Sequence, residues 1–237
     1  MTQPKIIYED KDILVINKPA GLLVHPIKAY PSKDTLVAWL TKKYPKIKTV
    51  GDDPANRPGI VHRLDKETSG AMVVAKTQKA FEFLKKQFQN RHVKKNYLAL
   101  VWGKFEMRSG IIEKPIGIKS GTLKRTVKID ENTKMVKEAK TIYRVKKELG
   151  LYSLIEVEPL TGRTHQIRVH LASVKHPVVG DRLYSQRELP PGIKRLFLHA
   201  QSLELDLPNR KHEKFTAELP RDLNQVLVAL ANPVLNK

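Results

Sequence analysis

With 237 residues, 41% of them hydrophobic and 29% charged, the chain has enough material to bury a core without covalent staples. It contains no cysteine, which excludes disulfides and cysteine-ligated zinc, and no apolar stretch approaches the ~20 residues of a membrane-spanning helix. Lys and Arg number 44 against 24 Asp and Glu, a net charge of +20 that attracts polyanions and can neutralise many phosphates. A membrane surface would call for a basic amphipathic helix or a lipidation signal. Neither is present, so the expected partner is nucleic acid. The N-terminus, MTQPKIIYEDKD, lacks the apolar core of a signal peptide, and a cytoplasmic protein is the default.

The first elements are two short strands, KIIYE and DILVINK, around the turn EDKD. Lys18-Pro19-Ala20-Gly21 interrupts the extended pattern and LLVHP resumes it. Asp34 is the expected N-cap of a helix with Leu36, Val37, Leu40 and Tyr44 on one face, which Pro45 ends. Gly51 to Gly59 is a loop leading into IVHRLD, and Ala71 to Ala75 reads as a buried strand. Thr77 caps the next helix, whose apolar stripe is Ala80, Phe81, Leu84 and Phe88. The strand NYLALVWGKF follows. From Lys119 to Lys147 the chain is polar and basic, the pattern of a mobile hairpin or an RNA-facing loop. Strands resume at AKTIYRVKK and LYSLIEVEPL. THQIRVHLASV then reads as a helix with Thr164 as N-cap, stopped by His176-Pro177. LFLHAQSLELDL, EKFTAEL and the short helix RDLNQVLVALA complete the chain. Strands and helices mix without regular βαβ alternation, which predicts an α+β fold on one mixed or antiparallel sheet. With no repeat and no flexible linker, a single domain over residues 1–237 is expected.

The most informative string is HRLDKETSG, His62 to Gly70. Asp65 sits there beside the cations His62, Arg63 and Lys66, on a loop that feeds a core strand. A carboxylate so placed is held rigidly yet stays reachable, which suits catalysis. The plainer alternative is a solvated turn whose Asp caps its own backbone. Metal chemistry has little support: His165 and His170 lie five apart, on different faces of the proposed helix, and no other His pair has ligand spacing. Neither GxxxxGK[ST] nor GxGxxG is present. No cofactor and no metal are expected.

Four segments carry a family resemblance: VINKPAGLLVHP (15–26), HRLDKETSG, RHVKKNYLALVWG (91–103) and PLTGRTHQIRVHLASVKHPVVGDRLY (159–184). In this order they resemble the RluA-type pseudouridine synthases, which isomerise uridine in ribosomal and transfer RNA. The resemblance spans nearly the whole chain. It implies a pseudouridine synthase catalytic fold, a large, mixed, mostly antiparallel sheet with flanking helices and a central active-site cleft. It begins within the first residues, so no N-terminal S4 domain is expected. It also implies roles: Asp65 as the catalytic aspartate, Arg168 as the arginine that ion-pairs with it, Tyr97 as the tyrosine that stacks on the target base, and Arg63 as the arginine that enters the RNA.

The residues agree with those roles. Moving a uracil from N1 to C5 attachment needs an anionic group under the ribose, as nucleophile or as base. Whether it attacks C1′, attacks C6 or removes a C2′ proton is left open. An Arg within ~4–6 Å keeps such a carboxylate ionised despite partial burial. An aromatic face receives a flipped base. The run Lys85, Lys86, Arg91, Lys94, Lys95 contains no acid and suggests phosphate contact, and His62 and Arg163 join it as expected RNA-binding residues. The expected protein is a monomer that binds structured ribosomal or transfer RNA. An inert RNA-binding factor on the same scaffold would have lost Asp65, Arg168 or Tyr97, and a metal-dependent nuclease would need clustered carboxylates.

Overall fold

The computed structural model describes residues 3–26, 34–122, 124–190 and 192–231. The chain divides into two compact units, Met1–Lys95 with Ala200–Glu218 and Asn96–His199 with Leu219–Lys237. The first opens with strands β1 (Lys5–Glu9) and β2 (Ile13–Lys18), helix α1 (Leu36–Lys43), a 3-10 turn (Pro45–Thr49), β3 (Ser69–Ala75) and α2 (Gln78–Gln89). The strand β4 (Lys94–Trp102) enters the second unit at Asn96. There follow β5 (Ser109–Glu113), β6 (Ile116–Lys119), β7 (Arg125–Thr126), β8 (Thr133–Lys137), β9 (Lys140–Leu149), β10 (Tyr152–Pro159) and α3 (Gln166–Ser173). β11 (Leu198–Asp206) returns to the first unit at Ala200, β12 (His212–Thr216) completes that unit, and α4 (Arg221–Ala231) belongs to the second.

In the first unit β2 lies antiparallel between β1 and β3, with Val15 opposite Val73 and Lys18 opposite Gly70. β3 is buried along its whole length, which is why its sequence is a continuous small and apolar run without alternation. It neighbours β11, which pairs with β12. Gly70 is required by that neighbour: its φ is +125°, and a Cβ there would run into the backbone of Ala200. The last letter of HRLDKETSG is therefore a packing requirement of the sheet.

In the second unit β4, β10, β9 and β5 pair antiparallel in that order. Successive strand residues face opposite ways, and the two faces have separate cores. Ala99, Val101, Ile155 and Val157 pack with Ile167 and Leu171 of α3. Leu100 packs with Phe197 and with Leu223 and Val226 of α4. Helices thus cover both faces, as the α+β expectation requires, and every strand pair of known register is antiparallel. No described helix is long and apolar enough to cross a membrane.

Several local expectations need correction. The N-cap of α1 is Thr35, not Asp34; its hydroxyl accepts the Ala38 N–H at 3.2 Å. LLVHP forms no strand. Leu23 makes one isolated bridge to Thr35, and the Leu23 and Val24 carbonyls accept the first N–H groups of α1, from Leu36 and Val37. The stretch Lys119 to Lys147, expected as a mobile hairpin or an RNA-facing loop, holds antiparallel strands among its described residues: β7 and β8 lie on either side of β6, and β9 starts at Lys140. Their alternation was hidden because only Ile116 and Gly117 are buried along β6 and almost nothing is buried along β8.

Candidate active site

The loop that carries Asp65 is anchored at nearly every flanking residue. Leu64 and Thr68 are buried, and the turn closes main chain to main chain, Thr68 N–H to the Asp65 carbonyl at 3.1 Å. The next carbonyl, of Lys66, accepts the Gly21 N–H at 2.8 Å and the Lys18 ammonium at 3.2 Å. Lys18 is fully buried, and it donates also to the carbonyls of Pro19 and Leu22 at 2.9 and 2.8 Å. An ammonium has three donors, and three carbonyls meet them, which makes its burial tolerable. Lys18 thus ties the KPAGL turn beneath the Asp65 loop. Its role was not read from the sequence, although a lysine at the end of the apolar run ILVIN is the signal.

His62 anchors the loop's other end. Its Nε2 accepts the Val73 N–H at 3.0 Å, and its ring stacks on Phe88 at 4.5 Å between centroids. Burial, and then the charge of Lys95, push its pKa down to about 3. It is therefore neutral, with its proton on Nδ1, and the cation expected here from the sequence is absent. The sign of the linkage follows: between pH 6.5 and 3 the unfolded chain binds a proton that the folded chain refuses, so stability falls with acidification across that window. His62→Gln, whose amide oxygen can accept the same N–H, is expected to flatten that part of the stability curve in urea melts. Parallel curves for the two proteins would assign the acid loss elsewhere.

The second unit holds Tyr97 and Arg168. Tyr97 lies half-buried near the start of β4, opposite Val157, against the apolar cluster that contains Ile167. Arg168 is the third residue of α3. The helix starts one residue later than Thr164 would set it: the N-cap position is His165, in left-handed backbone (φ 56°), without a side-chain cap. Gln166 organises this start instead. Its buried Oε1 accepts from the Thr161 hydroxyl at 2.6 Å and the Arg163 N–H at 3.0 Å, and its Nε2 donates to Lys140 O and Thr141 Oγ1.

Arg168 makes a planar fork with Asp181, Nε to Oδ2 at 2.7 Å and Nη2 to Oδ1 at 2.8 Å. Both residues are buried, 8% and 3% exposed. Asp181 Oδ1 also accepts the N–H groups of Leu183 and Tyr184. Burial pushes the Asp181 carboxyl up, but Arg168 and these N–H groups outweigh it and hold the pKa below the usual carboxylate range. The ring of Tyr184 lies 5.2 Å from the Arg168 guanidinium carbon. Asp181 and Tyr184 were overlooked in the sequence; their signal is an acid and an aromatic in the tight run VVGDRLY. His165 and His170 have partners of their own, Tyr184 Oη for the first and Thr141 Oγ1 and Lys114 O for the second.

The expected RNA-contacting residues divide between the units. His62, Arg63, Arg91, Lys94 and Lys95 belong to the first, Arg163 to the second. Arg63, Arg91 and Lys94 are exposed. Lys85 is not an open cation, since it pairs with Asp52 at 2.8 Å; Arg163 Nε donates to the Glu138 carbonyl at 3.0 Å. Arg91 occupies the left-handed residue of a Schellman turn closing α2 (φ 59°), with His92 N–H to Gln87 O and Arg91 N–H to Phe88 O. Glycine is the usual residue there. Arg91→Gly is expected to raise stability by about 0.5–1 kcal/mol while weakening RNA binding at low salt. A variant neither more stable in thermal melts nor weaker in RNA titrations would remove Arg91 from the RNA-contacting set.

Comparison with known proteins places the chain in a family. Residues 12–173 match the RNA pseudouridylate synthase family, and the chain belongs to it. It is 39% identical over 217 residues to ribosomal large subunit pseudouridine synthase D of Borreliella burgdorferi, covering 91% of this chain and 65% of that protein. It is 38% identical to the protein of the same name from Blochmanniella floridana, with 95% and 72% covered. An uncharacterized RNA pseudouridine synthase of Chloroflexus aurantiacus is 44% identical, with 89% and 64% covered. The chain thus spans about two thirds of the length of these relatives. Among solved structures, human RNA pseudouridylate synthase domain containing 4 aligns with a TM-score of 0.76 at 28% identity, over 96% of this chain and 93% of that one.

Proposed function

We propose that the chain is an RNA pseudouridine synthase, with Asp65 as the catalytic carboxylate. The observation that carries this reading is the HRLDKETSG loop in a member of the family: Leu64 and Thr68 on either side of Asp65 are buried and the Lys66 carbonyl and Thr68 N–H are hydrogen-bonded, while Asp65 itself is partly exposed. In the reaction the N1–C1′ bond of a uridine breaks, the base turns, and a C5–C1′ bond forms. The C5 proton is lost and N1 gains one, so the product is an isomer and no redox partner is required. Arg168 orients the Asp65 carboxylate, Tyr97 receives the flipped base, and Arg63 enters the RNA in its place. Arg91, Lys94, Lys95 and Arg163 contact phosphates.

Large-subunit ribosomal RNA is the first substrate, as the names of the relatives suggest, and transfer RNA the second. The enzyme acts as a cytoplasmic monomer. A uridine in or beside a hairpin loop is the cheapest to expose, because less stacking and pairing must be broken. Isolated stem-loops are therefore expected to be modified. Pseudouridine mapping of ribosomal and transfer RNA, with and without the protein, together with stem-loop fragments, tests both statements. No new pseudouridine in any RNA would refute the activity; modification of intact or ribosome-assembled RNA alone would refute stem-loop recognition.

A further inference from the structure

Tyr184 stands at a junction that the reaction as described does not use. Its hydroxyl accepts the backbone N–H of Arg125 at 3.0 Å and meets His165 Nδ1, also at 3.0 Å, an arrangement satisfied when the imidazole proton sits on Nε2. Its ring lies 5.2 Å from the Arg168 guanidinium carbon and 5.6 Å from the Lys124 ammonium. Its N–H donates to Asp181, the partner of Arg168. Below, the ring packs in a small apolar cluster with Val127, Ile116 and Val169 of α3.

The strand it holds is weak by itself. β7 is two residues long and pairs with β6 only at Thr126 and Arg125. Such a strand is positioned chiefly by what grips it from the side, here one phenolic hydroxyl. Arg125 begins this strand and Lys124 directly precedes it, two consecutive cations, and the acid beside Tyr184, Asp181, is engaged in the Arg168 fork. Among the described residues Arg125 Nε is buried without a hydrogen-bond acceptor. A guanidinium left short of acceptors is costly alone and suited to an anion that arrives with several oxygens.

We propose that Lys124 and Arg125 form a phosphodiester-binding contact for the RNA, and that Tyr184 is the positioning residue that registers this contact to Arg168. This rests on the reading of the protein as an RNA-modifying enzyme, in which one bound strand must be held in fixed relation to the reacting uridine. Tyr184 acts through backbone placement: its hydroxyl accepts the Arg125 N–H and so decides where two cations stand.

The test is a double-mutant cycle on RNA affinity, with one ribosomal stem-loop titrated at several salt concentrations. Arg125→Gln is expected to weaken binding about five- to eightfold at 0.1 M salt and to lower the salt slope by about 0.7–0.9, the contribution of one phosphate contact. Tyr184→Phe, which retains the ring and changes no charge, is expected to weaken binding and lower that slope in the same direction. The double variant is expected to be weaker than Arg125→Gln alone but to fall clearly short of the two single losses combined, since the hydroxyl acts through Arg125 and Lys124. A merely structural tyrosine would change the melting temperature and leave the salt slope untouched. An unchanged slope in Tyr184→Phe, or additive losses in the double variant, overturns the proposal; Lys124→Gln gives a second reading of the slope should Arg125→Gln fold poorly. If the affinity pattern holds but no RNA gains pseudouridine, the proposed activity fails and this contact stands.

Discussion

Asp65→Asn will abolish uridine isomerisation and leave RNA affinity nearly unchanged. The amide has almost the shape of the carboxylate, so the turn closed by the Asp65 carbonyl and Thr68 N–H should survive. The anchors on both sides, the Lys66 carbonyl held by Lys18 and Gly21 and the His62 ring held by Val73 and Phe88, do not involve the Asp65 carboxylate. What is lost is an anion. An amide can neither attack C1′ or C6 nor take a proton from C2′, so all three routes fail together. Removal of a covalent or general-base group typically costs several orders of magnitude in rate. A single-turnover assay with enzyme in excess of RNA isolates that step from product release. Asp65→Asn protein that converts uridine at near the wild-type rate would move the chemistry to another residue.

The contrast between what the sequence displays and what it hides has a physical basis. HRLDKETSG is legible because three kinds of constraint meet within nine residues: a buried glycine forced by the neighbouring strand, buried anchors at Leu64 and Thr68, and an acid between them. The amphipathic stripe of α2 is legible for the usual reason, one face buried, and its one misfit is instructive. Gln87 is buried where an apolar residue is expected, because its amide pairs with both backbone groups of Asp206. Long-range pairs of this kind leave no local pattern. Lys18 and Asp181 belong to the same class: each is a charge with a partner far along the chain, 48 residues away for Lys18 and 13 for Asp181. The neutrality of His62 was equally invisible, since it follows from burial of the ring and then from the charge of Lys95, neither of which the neighbouring residues of the chain display.

Asp181→Ala is expected to cripple catalysis about as severely as Arg168→Ala and to cost roughly 3–5 kcal/mol of stability, the usual penalty for leaving one member of a buried ion pair without its partner. The carboxylate fixes two of the guanidinium nitrogens, and with them the plane of the Arg168 head group. Arg168→Lys should rescue poorly, because a point charge cannot make the fork that the Leu183 and Tyr184 N–H groups have oriented. The acid dependence has a definite sign. With its folded pKa held below the ordinary carboxylate value, Asp181 contributes stability that is present above that value and is lost as pH falls towards the folded pKa. Asp181→Ala should therefore lose most of its disadvantage in strong acid and show it fully near neutrality. Urea melts from pH 3 to 7, paired with single-turnover rates, measure both effects. A wild-type midpoint at pH 7, or normal turnover by Asp181→Ala, would show that Arg168 is held in place without this carboxylate.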